Sequence, residues 1–167
     1  MKTGKTVEIL KQAILLEKRG YSFYSKVAEQ CTDPDIRNIF TIMADEETAH
    51  IRYLSDQFSH YDKNHSFLKI KFPDPSRESI ANMVLSDDIR NKITAAGFEA
   101  AAISAAIDME NRSVEIYVKQ AESAEDPNEK ELFSWLAGWE RSHLKLLSEL
   151  DNELKEKIWF DNQFWPF

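Results

Sequence analysis

Four long stretches of the chain repeat apolar residues at alternating spacings of three and four, the period of a helix that buries one stripe in a bundle. In the first, about Val7 to Gln30, the stripe is Leu10, Ile14, Glu17, Tyr21, Tyr24 and Ala28. In the second, about Pro34 to His60, it is Ile36, Phe40, Met43, Glu47, His50 and Leu54. The third, about Gly97 to Ser123, carries Ile103, Ile107, Glu110, Val114, Tyr117 and Ala121. The fourth, from Pro127, carries Phe133, Leu136, Glu140, His143, Leu147, Leu150 and Leu154. Asp33-Pro34 and Asp126-Pro127 each read as an N-cap followed by proline at the first helical position. From Tyr61 to about Ala96 the periodicity lapses, and the prolines of Phe72-Pro73-Asp74-Pro75 forbid a continuous helix. A short helix is expected there between Ser86 and Ile93. The length suits a crossover that returns the chain for a third helix parallel to the second. The pattern predicts an all-α, single-domain chain: an antiparallel four-helix bundle with a long crossover between helices 2 and 3.

Each stripe is interrupted at its centre by polar residues: Glu17, then Glu47 with His50, then Glu110, then Glu140 with His143. Glu47 and His50, like Glu140 and His143, form Glu-x-x-His, and residues three apart on a helix project from one face. The two halves of the chain align without a gap at an offset of 93, and roughly 16 of 46 positions between Ala13 and Phe58 match their partners. Glu17 and Glu47 lie about equally far from the turn at Thr32. In an antiparallel hairpin rising about 1.5 Å per residue they therefore reach one height. The repeat places Glu110 and Glu140 likewise.

Four ionised carboxylates cannot be buried side by side without compensation, because each costs several kcal/mol or more unless it is paired. No lysine or arginine shares the stripes at that level. Two divalent cations would balance four carboxylates, and a shell of carboxylates with one imidazole per metal suits iron or manganese. A lone mid-helix Glu is usually solvated and a lone His on an apolar face is usually a hydrogen-bonded core residue. Six such residues in a duplicated pattern point instead to metal. Asp62-x-x-His65 imitates the spacing but has no repeat partner, so it is read as surface, as is His60. Tyr24 and Tyr117 fall seven residues after Glu17 and Glu110; they either fill the core or hydrogen-bond the carboxylates from outside the ligand shell.

Composition narrows the partners. A net charge of −8 argues against nucleic acid, which needs a concentrated basic surface. A single cysteine, Cys31, excludes an internal disulfide and any four-cysteine metal site. No signal peptide and no bilayer-length apolar stretch is evident, so the expected setting is the cytoplasm, without a membrane partner. The aromatic tail, residues 158–167, is too short for a bundle helix of its own and is expected to dock on the bundle or on a second subunit of a homodimer.

With these residues in hand, the chain resembles the ferritin-like superfamily of di-iron carboxylate proteins, and within it the rubrerythrin family. The resemblance rests on Glu17, Glu47-x-x-His50, Glu110 and Glu140-x-x-His143 and covers nearly the whole chain. It implies a ferritin-like bundle whose six residues hold two iron ions, with manganese as the other candidate. It implies an oxidoreductase in which Fe(II) reacts with hydrogen peroxide or dioxygen, re-reduced by an external electron donor. Two departures stand out. Rubrerythrins usually carry a small four-cysteine iron domain, which Cys31 alone cannot build, and an extra glutamate three residues after the third-helix ligand, where this chain has Ser113. The alternative functions are an iron-binding or storage protein and an interaction module held together by its metal, both without turnover.

Overall fold

The computed structural model describes residues 2–73 and 97–161. The short helix expected at Ser86–Ile93 and residues 162–167 of the tail lie outside them. Among the described residues four helices make up the bundle: α1 (Lys2–Gln30), α2 (Pro34–Asn64), α3 (Phe98–Ser123) and α4 (Pro127–Asp161). Among the described residues there is no strand. Residues 158–161, expected as part of a separate tail, continue α4.

The turns follow from the capping residues. The Asp33 carboxylate accepts the N–H groups of Asp35 at 2.9 Å and Ile36 at 3.3 Å, satisfying donors that the start of α2 leaves free. Arg37 then reaches back to the Cys31 carbonyl at 2.9 and 3.2 Å and holds the turn against α1. Asp126 caps α4 through the Asn128 N–H at 2.8 Å. Helix α2 runs four residues beyond the expected end, to where His65 takes a left-handed conformation, φ 55°, and its N–H bonds the Tyr61 carbonyl. The chain beyond it is tied back by Gln57, whose buried amide donates to the Leu68 carbonyl at 2.8 Å and accepts the Leu68 N–H at 2.9 Å.

Cross-helix contacts set the directions. Tyr24 of α1 meets Glu110 of α3, and Tyr117 of α3 meets Glu17 of α1. The later residue of each helix faces the earlier one of the other, so α1 and α3 are antiparallel. With short turns making each hairpin antiparallel, α2 and α3 run parallel, as a crossover requires.

The core divides into two apolar lobes with the polar residues between them. One lobe gathers Phe40, Met43, Ile103 and Leu147, and the other Leu10, Leu54, Phe133 and Leu136. The stripes of α2 and α4 are buried as expected. Those of α1 and α3 are shifted: Ala13 and Gly20 face inward where Ile14 and Tyr21 were expected, and Ala106 and Ser113 where Ile107 and Val114 were. Tyr21 is 43% exposed. The shift obeys the repeat, since 13 and 20 map to 106 and 113. At Gly20 the cause is room: a Cβ there would stand 2.9 Å from Cδ of Glu47, so the carboxyl of α2 occupies the space a larger residue would fill.

Candidate metal centre

Glu17, Glu47, His50, Glu110, Glu140 and His143 converge between the two apolar lobes, none more than 3% exposed. Their ligand atoms form two overlapping groups, each within 4.8 Å: Glu17, Glu47, His50 and Glu140; and Glu47, Glu110, Glu140 and His143. Glu47 and Glu140, from the two Glu-x-x-His pairs, belong to both. The Glu17 and Glu110 carboxylates serve one group each. Asp62 and His65 stand apart and exposed, as the sequence implied, while His60 is partly buried and touches Asn64.

Both imidazoles turn Nδ1 inward. His50 Nδ1 lies 2.9 Å from Glu17, 3.1 Å from Glu140 and 3.7 Å from Glu47. His143 Nδ1 lies 3.3 Å from Glu110 and from Glu140 and 3.9 Å from Glu47. Proximity is not the same as satisfaction. Both Glu140 oxygens, Glu110 Oε2 and His143 Nδ1 have no hydrogen-bond partner although all are buried. Buried polar atoms left so cost about 1–3 kcal/mol each, more when charged. Acceptors and ring nitrogens that crowd a common space without bonding one another fit cations. The buried polar set among the described residues contains no lysine or arginine that could neutralise them instead.

The electrostatics of the cluster divide its carboxyls. Burial pushes Glu47 well above the usual carboxylate range, helped by the charges of Glu140 and Glu17. Burial and the Glu140 charge likewise push Glu110 up to about 8. Glu140 goes the other way: burial opposes its charge, but the His143 and His50 imidazoles flank it and hold it well below the usual range. The imidazoles are raised in turn. Burial would lower them, but Glu17 and Glu140 around His50, and Glu110, Glu140 and Glu46 around His143, outweigh it. Without a cation, protons must therefore substitute for positive charge.

Tyr24 and Tyr117 do both things that the sequence left open. Each is fully buried in the core, and each donates its hydroxyl to a carboxylate of the opposite hairpin, Tyr24 to Glu110 Oε1 and Tyr117 to Glu17 Oε1. Burial, then the charge of the bonded glutamate, raises both phenols well above their ordinary range, so they stay protonated donors.

Sequence reasoning did not single out Glu46, Trp135 or Trp139. Glu46 accepts from His143 Nε2 at 2.6 Å and from the Trp139 indole N–H at 3.1 Å. Trp135 and Trp139 pack edge-on to the His50 ring at centroid distances of 5.4 and 5.5 Å. Trp135 also stacks on Phe72 and donates to the Pro73 carbonyl at 2.7 Å, closing this side with the start of the crossover. The one signal available was negative: Glu46 maps at the 93 offset to Trp139, so the repeat fails beside its most regular motif.

The comparisons agree with this geometry. The family model described as Rubrerythrin matches residues 8–151. No curated protein matches the chain significantly. Among solved structures, a hypothetical protein from Pyrococcus furiosus superposes with a TM-score of 0.63 at 22% identity, covering 90% of each chain; this likeness bears on the fold alone. The four-helix architecture is the ferritin-like bundle. The match spans the four helices and all six clustered residues, and the chain belongs to the rubrerythrin family.

Proposed function

We propose that the chain is a non-haem di-iron oxidoreductase in which Fe(II) reacts with hydrogen peroxide or dioxygen. The observation that carries this is the doubled group of buried carboxylates and imidazoles, with its unpartnered oxygens and Nδ1, in a chain of this family. Glu17, Glu47, His50 and Glu140 would hold one metal and Glu47, Glu110, Glu140 and His143 the other, Glu47 and Glu140 being shared. Iron bound there supplies electrons to the O–O bond of the oxidant. The chain's own part is placement. Tyr24 and Tyr117 hold Glu110 and Glu17 in one orientation from outside the cluster. The two apolar lobes exclude bulk water, which strengthens every charge interaction between them. Electrons for further turnovers come from an external donor, because Cys31 is alone, buried, and pushed up to about 11 by burial and the Glu99 charge.

One observation favours a second reading, iron binding or storage without turnover. Ser113 stands where the extra family glutamate would be, and its hydroxyl bonds back to the Met109 carbonyl at 3.2 Å. Stopped-flow absorbance on mixing the ferrous protein with peroxide separates the two. Oxidation faster than that of free iron, repeated over several turnovers when a reductant is supplied, supports the oxidoreductase. One oxidation with no further turnover supports binding, and no reaction at all overturns the oxidoreductase.

A further inference from the structure

The two halves of the centre obey the repeat in every residue of the cluster and break it one position away. An imidazole that offers Nδ1 to a cation carries its proton on Nε2, and that N–H wants an acceptor. At His143 the acceptor is the Glu46 carboxylate, 2.6 Å from Nε2. At His50 the equivalent position is Trp139, and the buried Nε2 has no hydrogen-bond partner. Instead the His50 ring is walled by aromatics: Trp135 and Trp139 meet the imidazole at interplanar angles of 83° and 87°. An aromatic face is a much weaker acceptor than a carboxylate. Trp139 also gives its own N–H to Glu46, so one carboxylate serves the His143 ring and the wall of the His50 ring together.

We propose that the two metal positions are unequal: the one containing His143 binds tightly and fills first, the one containing His50 binds weakly and exchanges, and Glu46 is the positioning residue that sets the difference. This rests on the two-metal reading of the cluster. A charged acceptor on the outer nitrogen fixes the tautomer and ring angle of His143 and raises its basicity as a ligand. Removing such a partner typically costs 10–100-fold in metal affinity. His50 lacks that support, and its outer N–H is desolvated without return. Glu17 and Glu110 do not offset the inequality, because each receives one tyrosine hydroxyl in the same way.

The test is an anaerobic titration of the metal-free protein with Co(II), followed by equilibrium dialysis and visible absorbance, in the wild type, Glu46→Gln and Trp139→Glu. The wild type should bind in two resolved steps. Glu46→Gln should weaken the tighter step by about 10–100-fold and leave the weaker one nearly in place, so that the steps converge. Trp139→Glu, which supplies the missing acid opposite His50, should tighten the weaker step. Unchanged helicity of the metal-free Glu46→Gln protein by circular dichroism separates a positioning role from damage to the bundle. Two indistinguishable steps in the wild type, or equal weakening of both by Glu46→Gln, would overturn the inequality while leaving the two-metal reading intact. No bound Co(II) at all would overturn the two-metal reading, and the inequality with it.

Discussion

The Tyr24 hydroxyl on α1 donates to the Glu110 carboxylate on α3, and the repeat returns the same bond in reverse from Tyr117 to Glu17. Each hairpin thus positions a carboxylate of the other, which links the metal centre to correct association of the two halves. Tyr24→Phe and Tyr117→Phe should each leave a buried carboxyl oxygen without its donor, at a cost of about 1–3 kcal/mol. Each should also lower metal affinity by about 10–100-fold, the usual effect of losing such a partner. Equilibrium dialysis with Co(II) and thermal denaturation measure the two effects; unchanged metal affinity in both variants would show that the phenols only fill space.

Gly20 offers a different pairing of effects. Alanine is the better helix former by about 1 kcal/mol, which offsets part of the cost of overpacking, about 1–3 kcal/mol, so Gly20→Ala should stabilise the metal-free bundle little or not at all. Its Cβ would lie 2.9 Å from Cδ of Glu47 and push aside a carboxylate common to both groups. Metal affinity should fall by roughly tenfold or more, as for other losses of ligand placement. Ser113→Ala, at the repeat-equivalent position, removes only a bond to the helix's own carbonyl and should change metal affinity little. Thermal melts and Co(II) titration of the pair check this.

Pro34 and Pro127, the six cluster residues and the four helices are legible in the sequence because each rests on a local signal: an Asp-Pro cap, a polar residue inside an apolar stripe, a period. The pattern points to Ile14 and Tyr21 in α1 and to Ile107 and Val114 in α3, because bulk ordinarily marks burial, whereas the buried positions lie one residue earlier. The inward positions are small, Ala13, Gly20, Ala106 and Ser113, and at Gly20 the Glu47 carboxyl of the neighbouring helix takes the space. Glu46 was invisible for a different reason. A charged residue beside the stripe looks solvated until a partner from another helix, here His143, is placed against it. The reach of α2 to Asn64 is not legible in the sequence because its stop is a left-handed His65 rather than a glycine or proline.

Metal and protons compete for this site, with a definite sign. Folded Glu110 titrates near 8 and Glu47 is also raised, so between the ordinary carboxylate range and about pH 8 the metal-free folded state binds more protons than the unfolded one. His50 and His143 are raised as well and act in the same direction above their ordinary range. Stability of the metal-free protein should therefore fall as pH rises from about 5 to 8. Below that range Glu140, held low, acts oppositely, and its contribution is lost as pH falls. Metal affinity should rise over the same interval, with protons released on binding. Thermal melts with and without Co(II) from pH 5 to about 8 should show a metal-induced gain that grows with pH; a gain that shrinks with pH would contradict the protonation pattern.

Gln57 makes a prediction about the fold apart from the metal. Its fully buried amide bonds both backbone groups of the exposed Leu68, so Gln57→Leu should destabilise the chain by about 0.5–1.5 kcal/mol per hydrogen bond lost. Denaturant unfolding should show the loss, while metal stoichiometry stays the same because Gln57 touches none of the cluster.

The central claim is that Glu47 and Glu140 are shared by two metal positions, each completed by one further glutamate and one histidine. Anaerobic titration of the metal-free chain with Fe(II), followed by metal analysis, tests it most directly. The account predicts two irons per wild-type chain, matching the two groups, and none retained when Glu47 and Glu140 are both replaced by alanine. A wild-type chain that binds no more than one iron, or a doubly substituted chain that still binds two, would contradict it.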